Sequence, residues 1–157
     1  MKKYILLLIF FGCVSSFAQE KETLLQTFTF EEVEKKMKQT PKPIIVFNYT
    51  DWCKICFGMK QTTFKNSEVI TLLNKHFYFI LLNGEEKKEI LFLGKNFKFL
   101  PSGSNTGVHE LTKALATMHK KITYPTTTIL NSEFEIDAQL VGFYNSKKIR
   151  KVLEKLL

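Results

Sequence analysis

Ile44-Ile45-Val46-Phe47-Asn48-Tyr49-Thr50-Asp51-Trp52-Cys53-Lys54-Ile55-Cys56 is the stretch on which the fold turns. From Ile44 to Tyr49 the residues are mainly β-branched or aromatic, which suits a strand buried on both faces of a sheet. Two cysteines separated by two residues follow directly. Cys53 therefore opens a helix at the C-terminal end of a buried strand, the end at which open α/β sheets place their sites. A helix N-terminus stabilises negative charge on a thiol, so the spacing predicts Cys53 as the attacking thiolate. Cys56, one turn further in, is the more buried resolving thiol. Exchange would run in two steps: Cys53 attacks a substrate disulfide, then Cys56 attacks Cys53 and releases reduced substrate.

Upstream, residues 29–39 predict a helix. Thr29 and Glu32 have capping-box spacing, acids lead (Glu31, Glu32, Glu34), lysines follow (Lys35, Lys36, Lys38), and Phe30, Val33 and Met37 share one face. Pro41 and Pro43 end it. Downstream, a helix is expected over Ser67 to Lys75 and a second buried strand over Phe77 to Leu82. Residues 88–100 read as a hairpin, with Ile90 and Phe92 before Gly94-Lys95-Asn96 and Phe97 and Phe99 after it. A polar loop from Pro101 to Gly107 leads to a helix over 107–119, with Val108, Leu111, Leu115 and Met118 on one face. A strand from Thr126 to Leu130, a turn at Asn131 to Glu133, a strand ending near Gly142 and a helix from Ser146 to Leu157 complete the chain. The last helix carries Ile149, Val152, Leu153 and Leu156 at core-facing spacing.

The first residues have the form of a secretory signal: Lys2 and Lys3, the apolar run Tyr4 to Gly12, and small residues at Ser16-Phe17-Ala18. This divides the chain into a signal peptide (1–18), an N-terminal extension (19–27) and one domain (28–157), for a periplasmic or secreted protein. The alternative is a lipoprotein anchored through Cys13, since Phe10-Phe11-Gly12-Cys13 loosely resembles a lipidation site. Cleavage after Ala18 removes two lysines and no acids, leaving 21 basic and 15 acidic residues and lowering the net charge from +8 to +6. The lysines are scattered, with no basic helix carrying interleaved aromatics, so a solvated surface is expected and no nucleic-acid partner. A monomer is expected.

Cleavage also leaves Cys53 and Cys56 as the only cysteines. A structural disulfide closing so short a loop adds comparatively little stability, so the pair calls for a chemical explanation. Zinc is the main rival, but it usually needs four ligands, and His76, His109 and His119 are far apart with no second cysteine pair. No metal or other cofactor is expected. His109, in the first turn of the helix after the polar loop, could approach the site, though an exposed or hydrogen-bonded helix-start histidine is the plainer reading.

These residues resemble the thioredoxin superfamily. Ile44 to Cys53 is similar to its strand leading into an acidic-Trp-Cys site, Tyr124-Pro125-Thr126 to its cis-proline loop, and Val141-Gly142 with the terminal helix to its closing segment. The three occur in the family's order over residues 28–157. The resemblance implies an α/β thioredoxin fold, a central mixed sheet flanked by helices, here with a hairpin and loop insertion around 88–107. It implies a thiol-disulfide oxidoreductase with Cys53 and Cys56 catalytic. Pro125 would be cis and shape the site, Tyr124 would offer backbone hydrogen bonds to an extended substrate, and Trp52 would shield the sulfurs and contact substrate.

The leading segment Phe28 to Met37, Asp51-Trp52-Cys53 and Asn83-Gly84-Glu85-Glu86 look more like exported bacterial relatives, including the C-terminal domain of the DsbD electron-transfer protein. That likeness implies reduction of protein disulfides, with an upstream dithiol donor, a membrane-bound one included. The sequence departs from the family in two places. The buried Asp six residues before the first cysteine is Phe47 here, and the usual Gly-Pro between the cysteines is Lys54-Ile55. Asp51 and Lys54 are then candidate modulators of proton transfer and thiolate charge. A different class stays open: a binding module or chaperone holding partners through the Tyr124 loop with little redox turnover.

Overall fold

A computed structural model of the protein describes residues 24–157. The expected signal segment 1–18, Cys13 and residues 19–23 lie outside the described residues. Among the described residues, no helix is long and apolar enough to cross a membrane.

Helix α1 (Phe30–Met37) starts where its capping signal stands. Glu32 donates its backbone N–H to the Thr29 hydroxyl at 3.2 Å, and Thr29 donates its own to the Glu32 carboxylate at 2.8 Å. Strand β1 (Ile44–Tyr49) follows, then helix α2 (Lys54–Thr62), a 3-10 turn at Thr63–Lys65, helix α3 (Ser67–His76) and strand β2 (Tyr78–Asn83). After a long inserted segment come strands β9 (Thr126–Leu130) and β10 (Ile136–Val141) and helix α5 (Ser146–Glu154). The four long strands form one mixed sheet in the order β10-β9-β1-β2, with β1 parallel to β2 and antiparallel to β9. β1 is an inner strand, which is why its residues are apolar on both sides.

Alternation along the strands divides the core between the two faces. Ile45, Phe47, Phe79 and Ile129 pack with Met59, Phe64, Leu73, Ile149 and Leu153, in the cluster that also holds both cysteines. Ile44, Val46, Ile80, Leu82 and Leu130 pack on the other face with Phe30, Val33 and Met37 of α1. The one polar side chain inside β1, Asn48, is fully buried; its amide donates to the Thr126 carbonyl at 3.1 Å and the Thr128 hydroxyl at 3.2 Å.

The insertion is more elaborate than the sequence suggested. Strands β3 (Ile90–Phe92) and β4 (Lys95–Phe97) do form a hairpin, but the chain reverses at Leu93-Gly94, with φ of 51° and 72°, rather than over Gly94-Lys95-Asn96. Two positive φ values are what a two-residue hairpin turn of matching twist requires. Phe99 does not belong to this hairpin: strand β5 (Phe99–Pro101) pairs with β6 (Gly107–His109), placing Phe99 opposite His109. The helix expected over 107–119 is correspondingly only α4 (Glu110–Ala116). Val108 belongs to β6, opposite Leu100, and Met118 to a short ladder of β7 (Thr117–Met118) with β8 (Lys121–Ile122), turned by His119 and Lys120 at positive φ. The terminal helix likewise stops at Glu154, short of Leu157.

Candidate active site

β1 ends at Tyr49, and the chain turns at once: Cys53 donates its backbone N–H to the Thr50 carbonyl at 3.2 Å. Cys53 is the N-cap of α2, and its Sγ accepts the Cys56 N–H at 3.1 Å. The two cysteines are joined by a disulfide, their Cα atoms 5.2 Å apart. Both lie in the buried core, Cys53 at 7% exposed and Cys56 at 0%. The first turn of α2 contains no acid that would oppose negative charge on Cys53.

The Tyr124–Pro125 peptide, just before β9, is cis, and Pro125 is buried. Its carbonyl accepts the Gly142 N–H at 2.8 Å, tying the Val141-Gly142 segment to this loop. The Tyr124 ring is half-buried against the core cluster that holds both cysteines, and meets Trp52 edge-on at 6.0 Å between centroids. Burial, and secondly the negative charge of Glu85, push the Tyr124 phenol up to about 12. Trp52 itself remains 66% exposed.

Phe47 is sealed in the core, edge-on to Phe64 at 4.9 Å and stacked on Tyr49 at 6.2 Å, so an aromatic cluster occupies the place of an acid. Asp51 and Lys54 are both exposed, and the Asp51 carboxylate accepts the Asn83 amide at 2.9 Å. His109 is neither exposed nor in the first helical turn: it is the buried N-cap of α4, its Nδ1 accepting the Leu111 N–H at 3.2 Å. Burial lowers its pKa, with the carbonyls of Lys88 and Phe97 and the charges of Glu86 and Glu110 acting the other way. Among the described residues, no group of three or more His, Cys, Asp or Glu could hold a metal ion.

Two contacts at the site had no signal in the sequence. Lys60, two turns along α2, places its ammonium 3.8 Å from the centroid of the Tyr49 ring. Gly84, immediately after β2, lies under the Tyr124 phenol. Each joins residues distant in sequence, so only the folded sheet reveals it.

Residues 30–157 match the family model described as a thioredoxin-like domain. The chain belongs to the thioredoxin-like family. Solved structures agree on the fold. A DsbH oxidoreductase superposes with a TM-score of 0.58 at 20% identity, over 85% of each chain. A thioredoxin from Thermus thermophilus gives 0.58 at 16% identity, over 83% of this chain and 85% of that one. The oxidised DsbD C-terminal domain of Neisseria meningitidis gives 0.53 at 19% identity, over 84% of this chain and all of that one. No curated protein matches in sequence. A Cys-x-x-Cys pair closed as a disulfide on this thioredoxin-like domain is the equipment of a thiol-disulfide oxidoreductase.

Proposed function

We propose that the mature chain is exported and reduces protein disulfides through a Cys53/Cys56 dithiol-disulfide cycle. The observation that carries this is the Cys53–Cys56 disulfide at the N-terminus of α2, with Cys53 as the N-cap and Cys56 one turn further into the core. In the reduced protein the Cys53 thiolate attacks a substrate disulfide, forming a mixed disulfide and expelling one substrate thiolate. Cys56 Sγ, deprotonated, then attacks Cys53 Sγ. The second substrate thiolate leaves, two electrons have passed to the substrate, and the Cys53–Cys56 bond is restored. A dithiol donor resets the pair. The Cys56 N–H directed at Cys53 Sγ and the positive end of α2 favour the attacking thiolate.

The same reading gives the neighbours their roles. Tyr124 offers its backbone to an extended substrate beside Pro125, and Trp52 provides an aromatic cover for it. Lys54 biases the surface charge beside Cys53, and Asp51, held by Asn83, sets the approach to Trp52. Export rests on the signal-like segment 1–18, and the protein would act as a monomer. Exposed Ile55, Phe57 and Phe143, together with Trp52, also suit the alternative of a binding module with little turnover.

A redox titration of the Cys53/Cys56 couple with a dithiol donor tests the reading. A reductase should lie near thioredoxin's value of about −270 mV, whereas a value near −120 mV would mark an oxidant. Cys56→Ser should accumulate a mixed disulfide with substrate and lose turnover. Absence of any cycling in the wild type would remove the enzyme reading and leave the binding module.

A further inference from the structure

The sheet order β9-β1-β2 leaves the C-terminal end of β1 flanked by two segments whose strands are not paired with each other: the Tyr124-Pro125 loop before β9 and Gly84 after β2. Neighbouring strands lie about 4.8 Å apart, so the gap across β1 is roughly twice that. A tyrosine side chain is long enough to bridge most of it. Tyr124 does so, and its phenol comes down on the bare Cα of Gly84. A Cβ placed on residue 84 would sit 2.5 Å from Tyr124 Cζ and 2.7 Å from Cε1, with the hydroxyl oxygen nearer still. Real carbon atoms do not approach so closely, so one side must move.

Gly84 is the side that is held. Its N–H donates to the Tyr49 carbonyl at 2.7 Å, and its carbonyl accepts the His109 N–H, also at 2.7 Å. One bond anchors it to β1 and the other to β6 of the inserted segment. Tyr124 is the side that can yield, because the atoms in the way are the far end of a side chain. Its ring in turn makes a T-shaped contact with Trp52, 6.0 Å between centroids.

We propose that Gly84 is a positioning residue of the exchange centre: its missing side chain provides the seat for the Tyr124 phenol, which sets the Tyr124 backbone and Trp52 for docking an extended polypeptide at Cys53. The inserted segment, through His109 and Gly84, thereby contributes to placing the docking edge. This rests on the disulfide-exchange reading above, and it concerns protein substrates in particular, since a small disulfide needs only the sulfur of Cys53.

The test is Gly84→Ala, Tyr124→Ala and the double variant, with three readouts. These are kcat/KM for insulin disulfides, kcat/KM for glutathione disulfide, and emission from Trp52, the one tryptophan in the chain. Misplacement of a positioning group by about 1 Å can cost up to about a hundredfold, so Gly84→Ala should lose about tenfold or more on insulin, chiefly through KM, and less than about threefold on glutathione disulfide. Its Trp52 emission should shift. In the Tyr124→Ala background the same alanine should have little further effect on any readout, because the clash is gone.

Equal losses on both substrates, no loss on either, or an undiminished effect of Gly84→Ala without Tyr124 would each overturn the proposal. If Gly84→Ala does not fold, folding of the double variant supports the seat and its failure to fold counts against it. Wild-type protein that reduces neither substrate would instead defeat the exchange reading, and the coupling in Trp52 emission would still decide whether Gly84 seats Tyr124.

Discussion

Phe47→Ala perturbs the position where the family places a buried acid. The side chain is fully buried in the cluster that contains both cysteines, between the rings of Phe64 and Tyr49. Removing a buried phenylalanine costs about 3–5 kcal/mol, the sum of lost transfer energy and the cavity left behind. The high end applies here, because β1 is an inner strand hydrogen-bonded on both sides and cannot collapse inward. Set against a total stability of about 5–15 kcal/mol for a domain, the variant should fold but lie near the margin. For a domain of this size the melting temperature should fall by roughly 10–20 °C. Urea unfolding of the oxidised and the reduced protein checks it: the midpoint should drop in both states with an unchanged slope. A loss below about 1.5 kcal/mol, small for a sealed phenylalanine, would refute the reasoning and mean that the site beneath the disulfide is open to relaxation or water.

Burial holds the His109 imidazole below its ordinary value, so the unfolded chain takes up that proton first. The stabilisation is complete above about pH 6.5 and is lost as pH falls through the folded value; the unfolding midpoint should fall more steeply between pH 7 and 5 than in His109→Gln, and matching profiles would count against it. The Tyr124 phenol, pushed up to about 12, has the opposite sign: its contribution is intact below about pH 10 and is lost as pH rises through about 12. Near-ultraviolet titration should show a late-ionising phenol that Tyr124→Phe removes. Thr29→Ala removes the hydroxyl that accepts the Glu32 N–H, leaving the backbone half of the α1 capping box, and should cost about 1 kcal/mol in chemical unfolding with no change in exchange activity.

Where a signal was local, the sequence carried it. The α1 cap is a matter of two residues three apart, and the unbroken apolar run of β1 followed by Cys-x-x-Cys placed a strand end against a helix start. The inserted segment was opaque for the same reason reversed. Val108, Leu111, Leu115 and Met118 have helical spacing, yet strand pairing of Val108 with Leu100 and of Met118 with Lys121 takes the two outer positions. A leucine at positive φ, as at Leu93, is uncommon, and its N–H is held by the Glu34 carboxylate 59 positions away. The cysteines of the site could be read from one dimension. The contacts of Gly84 with Tyr124 and Lys60 with Tyr49, and the burial of His109, depend on the sheet order.

Asn48 has a consequence of a different kind. Pro125 immediately precedes β9, so its place at the C-terminal end of β1 depends on which residue of β9 stands opposite which residue of β1. Slippage by one residue would move it about 3.4 Å along the strand and turn every side chain of β9 to the other face. A strand of Thr126-Thr127-Thr128-Ile129-Leu130, with three like residues in a row, is poorly protected against such slippage by its own side chains. The Asn48 amide, bound to Thr126 and Thr128, acts as an index pin: in a slipped pairing it would be buried without those partners. The place of the proline along β1 is thus encoded five residues before the first cysteine, in a side chain of the strand itself.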